Sequence, residues 1–148
     1  MNAALARRRL VVRGLSALSF LTIGFEVRSN QSSTAVEGAN RHWFEAALRM
    51  KRLAESWGDQ PYGAVLVLDE QLIGEGPSRV VQLRDETAHA ERVAIRDAQR
   101  RLHRADLRGS ILYSTSKPCA ACEAAAAAAG VSRMYYGESL HDGGTPKR

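Results

Sequence analysis

Thr87-Ala88-His89-Ala90-Glu91, followed some thirty residues later by Pro118-Cys119-Ala120-Ala121-Cys122, are the stretches around which this 148-residue chain is organised. One histidine and two cysteines make a three-ligand zinc set, leaving a fourth tetrahedral position open for water, as catalytic rather than structural zinc requires. Glu91 lies two residues after the histidine and is not needed as a ligand. It is therefore free to take a proton from such a water and deliver it elsewhere, a division of labour that suits a hydrolase. Each half of the pattern is weak alone, since H-x-E is common by chance and C-x-x-C also serves structural zinc and redox pairs. Their setting adds the weight: the first opens a predicted helix, and the second follows a predicted strand and opens another helix with proline directly before it.

Working outward, Thr87 is a suitable N-cap for a helix carrying His89, Val93, Ala94, Ala98 and Leu102 on an apolar face. That placement sets His89 and Glu91 side by side in its first turn. Ile111-Leu112-Tyr113 reads as a buried strand running into Ser114-Thr115-Ser116-Lys117. Pro118 then starts a helix where its missing N–H costs nothing. Both cysteines fall in that first turn, where the helix dipole favours thiolate over thiol. Ala124 to Ala129 is a slim alanine helix with Gly130 as its stop, and Arg133-Met134-Tyr135-Tyr136 supplies the next strand of a β-α-β unit. Upstream, Ala64–Leu68 and Gln71–Gly76 form a hairpin around Asp69-Glu70. Before them, Trp43, Ala46, Ala47, Met50, Leu53, Ala54 and Trp57 recur at helical spacing, with Asn40 as cap and Gly58 as stop. Pro77 to Glu86 reads as a loop leading to His89, with Arg79 and Arg84 as solvated cations. His42, His103 and His141 have no ligand partners nearby in sequence and read as surface or capping residues. Glu138 to Arg148 reads as a polar tail.

On His89, Glu91, Pro118, Cys119 and Cys122 the chain resembles the zinc-dependent cytidine and deoxycytidylate deaminase superfamily, whose pattern is H-x-E followed by P-C-x-x-C. Pro61-Tyr62-Gly63-Ala64-Val65, Ala94-Ile95-Arg96 and Leu112-Tyr113 look most like the branch holding guanine deaminases and tRNA adenosine deaminases. The likeness covers roughly residues 40 to 137. It implies an α/β fold, a three-layer α/β/α sandwich whose mixed central sheet has helices on both faces. It implies Zn²⁺ held by His89, Cys119 and Cys122, with Glu91 as the catalytic proton carrier. Family geometry further implies substrate contacts from Ser78, Tyr62, the Ala90 backbone N–H and the backbone around Ser114. The loop position of Ser78 usually carries an asparagine, and serine lacks the amide's paired donor and acceptor. Lys117 stands where relatives usually have glutamate, and Ala121 where they usually have methionine. Relatives usually continue with a further strand and helices where this chain has its polar tail. The implied activity is hydrolytic removal of an amino group from a nucleobase or nucleoside, with guanine-like purines first because of Tyr62. The alternatives are editing of a tRNA adenosine, or a zinc-stabilised module that binds a ligand without turnover. A homodimer is implied by the resemblance alone.

Composition bounds these readings. With 45% hydrophobic and 25% charged residues the chain is an ordinary globular protein, not a disordered one. Its two cysteines are both in C-x-x-C, so a disulfide framework would consume the proposed ligands. The formal charge is +5, but five arginines against two glutamates put +3 of it in residues 1–38, leaving +2 for the remainder. No phosphate-neutralising stripe is evident in the catalytic part, which weighs against RNA at this level. Residues 1–39 read as an export signal and linker, and residues 40–148 as the deaminase domain. Arg7-Arg8-Arg9 precedes an apolar run, Leu15 to Phe25, too short to span a bilayer and loosely twin-arginine-like. Periplasmic and cytoplasmic locations both stay open. Asn30 to Asn40 is polar and Ser-rich, as linkers are.

Overall fold

In a computed structural model, the structure describes residues 23–148, with side chains from 37 onward. The Arg7–Arg9 cluster and most of the apolar run behind the export reading lie outside the described residues. No helix among the described residues is long and apolar enough to cross a membrane.

The chain runs α1 (Ile23–Ser56), β1 (Gly63–Leu68), β2 (Gln71–Pro77), α2 (Val80–Leu83), α3 (Ala90–Leu102), β3 (Ile111–Ser114), α4 (Ala120–Ala129), β4 (Arg133–Tyr136) and β5 (His141–Gly144). The strands make one mixed sheet in the order β2-β1-β3-β4-β5. β1 pairs antiparallel with both β2 and β3, β3 pairs parallel with β4, and β4 pairs antiparallel with β5. Residues Ala35–Arg148 form one compact unit.

Strand alternation sorts the core into two sides. Ala64, Leu66 and Leu112 point to the face covered by α3 and α4, where they meet Ala94, Ile95, Ala98, Ala126 and Ala129. Val65, Val67 and Tyr113 point to the other face, against Ala46 and Ala47 of α1. Successive strand side chains leave on opposite faces, so a run apolar at every position is a strand buried on both sides. This is the three-layer α/β/α sandwich expected from the resemblance. Close packing of α3 on β2 requires glycine at Gly76: a Cβ there would stand 2.0 Å from the Ala90 carbonyl oxygen and 2.5 Å from the Ala94 nitrogen. Gly130 caps α4 in the left-handed region, at φ 79°, as expected of a helix stop.

Several local expectations differ from the structure: among them, the Pro77–Glu86 loop holds the short helix α2, and α4 starts at Ala120 rather than at Pro118. The first helix begins at Ile23, so Asn30–Asn40 is helical rather than linker, and Asn40 is no cap. Its side-chain oxygen instead accepts a 2.7 Å hydrogen bond from the Tyr113 hydroxyl. Trp57 and Leu53 belong to the apolar stripe yet are 38% and 37% exposed, and Arg79 stacks over the Trp57 ring. α3 starts at Ala90 with His89 as its N-cap, while Thr87 lies outside it and accepts from Arg96. The polar tail contributes β5, whose pairing with β4 is reinforced by the Arg133–Asp142 ion pair.

Candidate metal centre and active site

Two helix N-termini meet at the site. His89 is the N-cap of α3, Cys119 is the N-cap of α4, and Cys122 lies one turn further on. Parallel pairing of β3 with β4 requires the crossover helix α4, and the end of β3 delivers the chain to Pro118 beside α3. Cys119 Sγ lies 3.6 Å and Cys122 Sγ 3.4 Å from His89 Nδ1. All three ligand atoms fall within 4.8 Å of one another, the one such cluster of His, Cys, Asp or Glu among the described residues. A tetrahedral ion with Zn–S of about 2.3 Å and Zn–N of about 2.0–2.1 Å separates N from S by about 3.6 Å. The donor set and its spacing therefore fit zinc. His42, His103 and His141 are not in the cluster; His103 instead caps the C-terminus of α3.

The electrostatics differ from the helix-dipole expectation at one thiol. Burial pushes the Cys122 thiol well above its ordinary value, and the neighbouring Glu91 and Cys119 push it further. Helix N–H groups alone do not make it a thiolate; a cation at the shared point would, because a coordinating thiol is deprotonated outright.

Glu91 sits in the first turn of α3, 5% exposed, and its Oε1 accepts a 3.0 Å hydrogen bond from the Ser114 hydroxyl at the end of β3. A cavity of about 240 Å³ opens over it, lined by Gln60, Tyr62, His89, Ala90, Glu91, Ser116, Lys117 and Cys119. The three candidate ligands, Glu91, Tyr62 and Ala90, singled out in the sequence, are brought to one place by the fold. Ser114 is beside them by its hydroxyl, while its carbonyl accepts from the Gly137 N–H at 3.0 Å.

Ser78 is not brought to the cavity. Its side chain is fully buried, and its hydroxyl donates to Asp59 Oδ1 at 2.9 Å. Asp59, unremarked in the sequence, also accepts from the backbone N–H of Gln60 and of Gln82, each at 2.8 Å. Burial alone would raise its carboxyl, but the hydrogen bonds from Gln82, Gln60, Ser78 and Val81 outweigh it and hold the group below the ordinary value. Nothing in the local pattern marks Asp59 or Gln60, because their significance depends on a loop some twenty residues away.

Comparison with known proteins places these features in a family. The model of the cytidine and deoxycytidylate deaminase zinc-binding region matches residues 38–138. The chain is similar to the tRNA-specific adenosine deaminase of Agrobacterium fabrum, 43% identical over 103 residues covering 70% of this chain and 68% of that one. It is also similar to a solved structure from work on A-to-I editing by tRNA wobble-position deaminases, at 43% identity and TM-score 0.63, covering 66% of this chain and 70% of that one. The guanine deaminase of Bacillus subtilis follows at 34% identity and TM-score 0.62, covering 65% and 62%.

Proposed function

The chain belongs to the cytidine and deoxycytidylate deaminase zinc-binding family, and from that premise we propose that it hydrolyses the 6-amino group of an adenosine presented in tRNA, releasing ammonia and leaving inosine. The observation that carries a deaminase reading is the convergence of His89, Cys119, Cys122 and Glu91 on one cavity. Zinc bound by the trio supplies a Lewis acid that brings the pKa of a water toward neutrality.

The chain's own groups do the rest. His89 presents Nδ1 to the point shared with the two cysteine sulfurs. Glu91 takes a proton from the attacking water and passes it to a ring nitrogen; it then takes the second proton from the same oxygen, now bonded to the ring carbon, and gives it to the amine, which leaves as ammonia. Ser114 donates to Oε1 and so fixes the rotamer of that carboxylate. Ala90 lies in the first turn of α3, where backbone N–H groups have no intrahelical acceptor, and orients the ring from there. Tyr62, 43% exposed at the mouth, supplies an aromatic edge.

One feature supports an RNA-borne base over the guanine-like free purine that Tyr62 alone suggests. The tRNA adenosine deaminases compared are 43% identical to this chain, against 34% for the guanine deaminase. The cavity, about 240 Å³, is below the 300–1,000 Å³ of drug-sized ligand sites. Such a volume suits a single base, whether free or extruded from a strand with its sugar and phosphate outside, and the exposed Lys117 stands at the rim.

The test is zinc-loaded protein incubated with an anticodon stem-loop carrying a wobble adenosine, and separately with guanine, adenine, cytosine and their nucleosides, reading inosine by mass spectrometry and ammonia by a coupled assay. Inosine at the wobble position, absent with Glu91→Ala, is expected. Ammonia from guanine with no inosine in RNA would return the function to a free-base deaminase. Silence across the set, with one zinc per chain, would favour a binding module.

A further inference from the structure

We propose that Gln60 is the specificity-determining residue of the cavity, its side-chain amide reading the edge of an adenine ring, with Asp59 as the positioning residue that fixes it. The inference rests on the deaminase reading of the site and names the group that selects the base.

The position from which the resemblance would draw a substrate-binding amide is closed. Ser78 is fully buried, its hydroxyl is committed to Asp59, and it does not line the cavity. The polar work must come from the groups that do line it. His89 and Cys119 belong to the metal trio, and Glu91 is held by Ser114 for proton transfer. Lys117 is exposed and carries donors only, and Ser116 and Tyr62 each offer a single hydroxyl rather than a paired donor and acceptor. Gln60 is half-buried, lines the cavity, and its side chain has no hydrogen-bond partner among the described residues.

Its backbone, in contrast, is committed on both sides. The Gln60 N–H donates to Asp59 Oδ1 at 2.8 Å, and its carbonyl accepts from the Tyr62 N–H at 2.8 Å. Asp59 in turn ties this loop to the next, through the Ser78 hydroxyl and the Gln82 N–H. A residue that lines a small cavity, anchored by its backbone and with its side-chain amide unpartnered among the described residues, is preorganised to bind at little entropic cost. An amide offers a donor and an acceptor side by side. Adenine presents the complementary pair at N6 and N7, whereas the matching edge of guanine presents two acceptors, O6 and N7, which suit arginine or lysine. The site should therefore prefer adenine to guanine.

The experiment measures equilibrium binding of free adenine and free guanine by calorimetry to full-length, zinc-loaded Glu91→Gln protein, so that no turnover is needed. The comparison protein is Glu91→Gln with Gln60→Leu, which keeps the bulk and removes the amide; zinc content serves as the folding control. Adenine is expected to bind about tenfold more tightly than guanine, in keeping with one good bidentate amide–base pair, and Gln60→Leu is expected to erase that ratio. Asp59→Asn should weaken adenine binding in the same direction through a displaced loop. Equal affinity for the two bases, no binding of adenine, or an unchanged ratio in the Gln60→Leu protein would overturn the inference. Because binding is read separately from inosine formation, a base preference in the Glu91→Gln protein with no inosine formed by the wild-type protein would sink the editing function while leaving Gln60 in its role.

Discussion

Ser114 holds two neighbours at once, the Gly137 N–H through its carbonyl and Glu91 Oε1 through its hydroxyl. The second contact is buried and runs to a charged acceptor, where a hydrogen bond contributes about 1.5–3 kcal/mol. Ser114→Ala is therefore expected to lower kcat roughly tenfold by freeing the Glu91 rotamer, with zinc stoichiometry and KM close to wild type. A KM effect in place of the kcat effect would instead make Ser114 a substrate contact. The ligands and Glu91 were legible in the sequence because each motif lies within one helical turn, where spacing alone sets geometry. The Ser114–Glu91 contact was not, since it joins a strand end to a helix start 23 residues away. Ser78 shows the same limit from the other side: serine at a family asparagine position was visible, but its capture by Asp59, 19 residues earlier, required the fold.

The decisive contact between elements is α3 on β2. Gly76→Ala would put a methyl 2.0 Å from the Ala90 carbonyl oxygen, backbone that cannot rotate away. α3 must then lift from the sheet, at a cost of about 1–3 kcal/mol typical of overpacking. Because His89 and Glu91 occupy the end of α3 nearest that glycine, deaminase rate should fall by far more than the drop in Tm implies. Parallel thermal melts and activity assays check this; a variant that loses Tm but keeps its rate would show that α3 shifts without moving the site. The hairpin and the β-α-β unit were legible because apolar runs bounded by Asp69-Glu70 and Gly130 state their own limits. The start of α1 was not. Asn30–Asn40 has one glycine and no proline, so its polar composition signals solvent rather than a helix end. β5 escaped notice because His141-Asp142-Gly143-Gly144 has no strand propensity of its own and is recruited by pairing with β4.

At the scale of the molecule, the three candidate ligands join the N-termini of two helices whose apolar sides share one cluster on the same face of the sheet. The family resemblance, together with the continuously apolar runs of β1 and β3, made the sandwich legible, yet it says nothing about how the fold tolerates Cys122. Without a cation that thiol is held protonated by burial, with Glu91 and Cys119 adding to the effect. The consequence for stability has a definite sign. A group whose folded pKa is raised above its unfolded value stabilises the protein below the unfolded pKa, near 9.0 for this thiol, and that contribution is lost as pH rises further. Metal-free protein should therefore lose Tm between about pH 8 and pH 10. Zinc-loaded protein has already released the thiol protons to solvent on binding the metal and should not show that loss. Tyr113, whose hydroxyl is pushed up to about 12 by burial and by Tyr135, acts with the same sign in both forms and cancels in the difference. At neutral pH, zinc at a hundred times its Kd adds about 2.7 kcal/mol, so a chelator should lower Tm by roughly 10 °C. Paired melts across that pH range, in a non-thiol reductant with and without chelator, measure both effects. Parallel slopes for the two forms would mean that Cys122 is not the thiol the metal deprotonates.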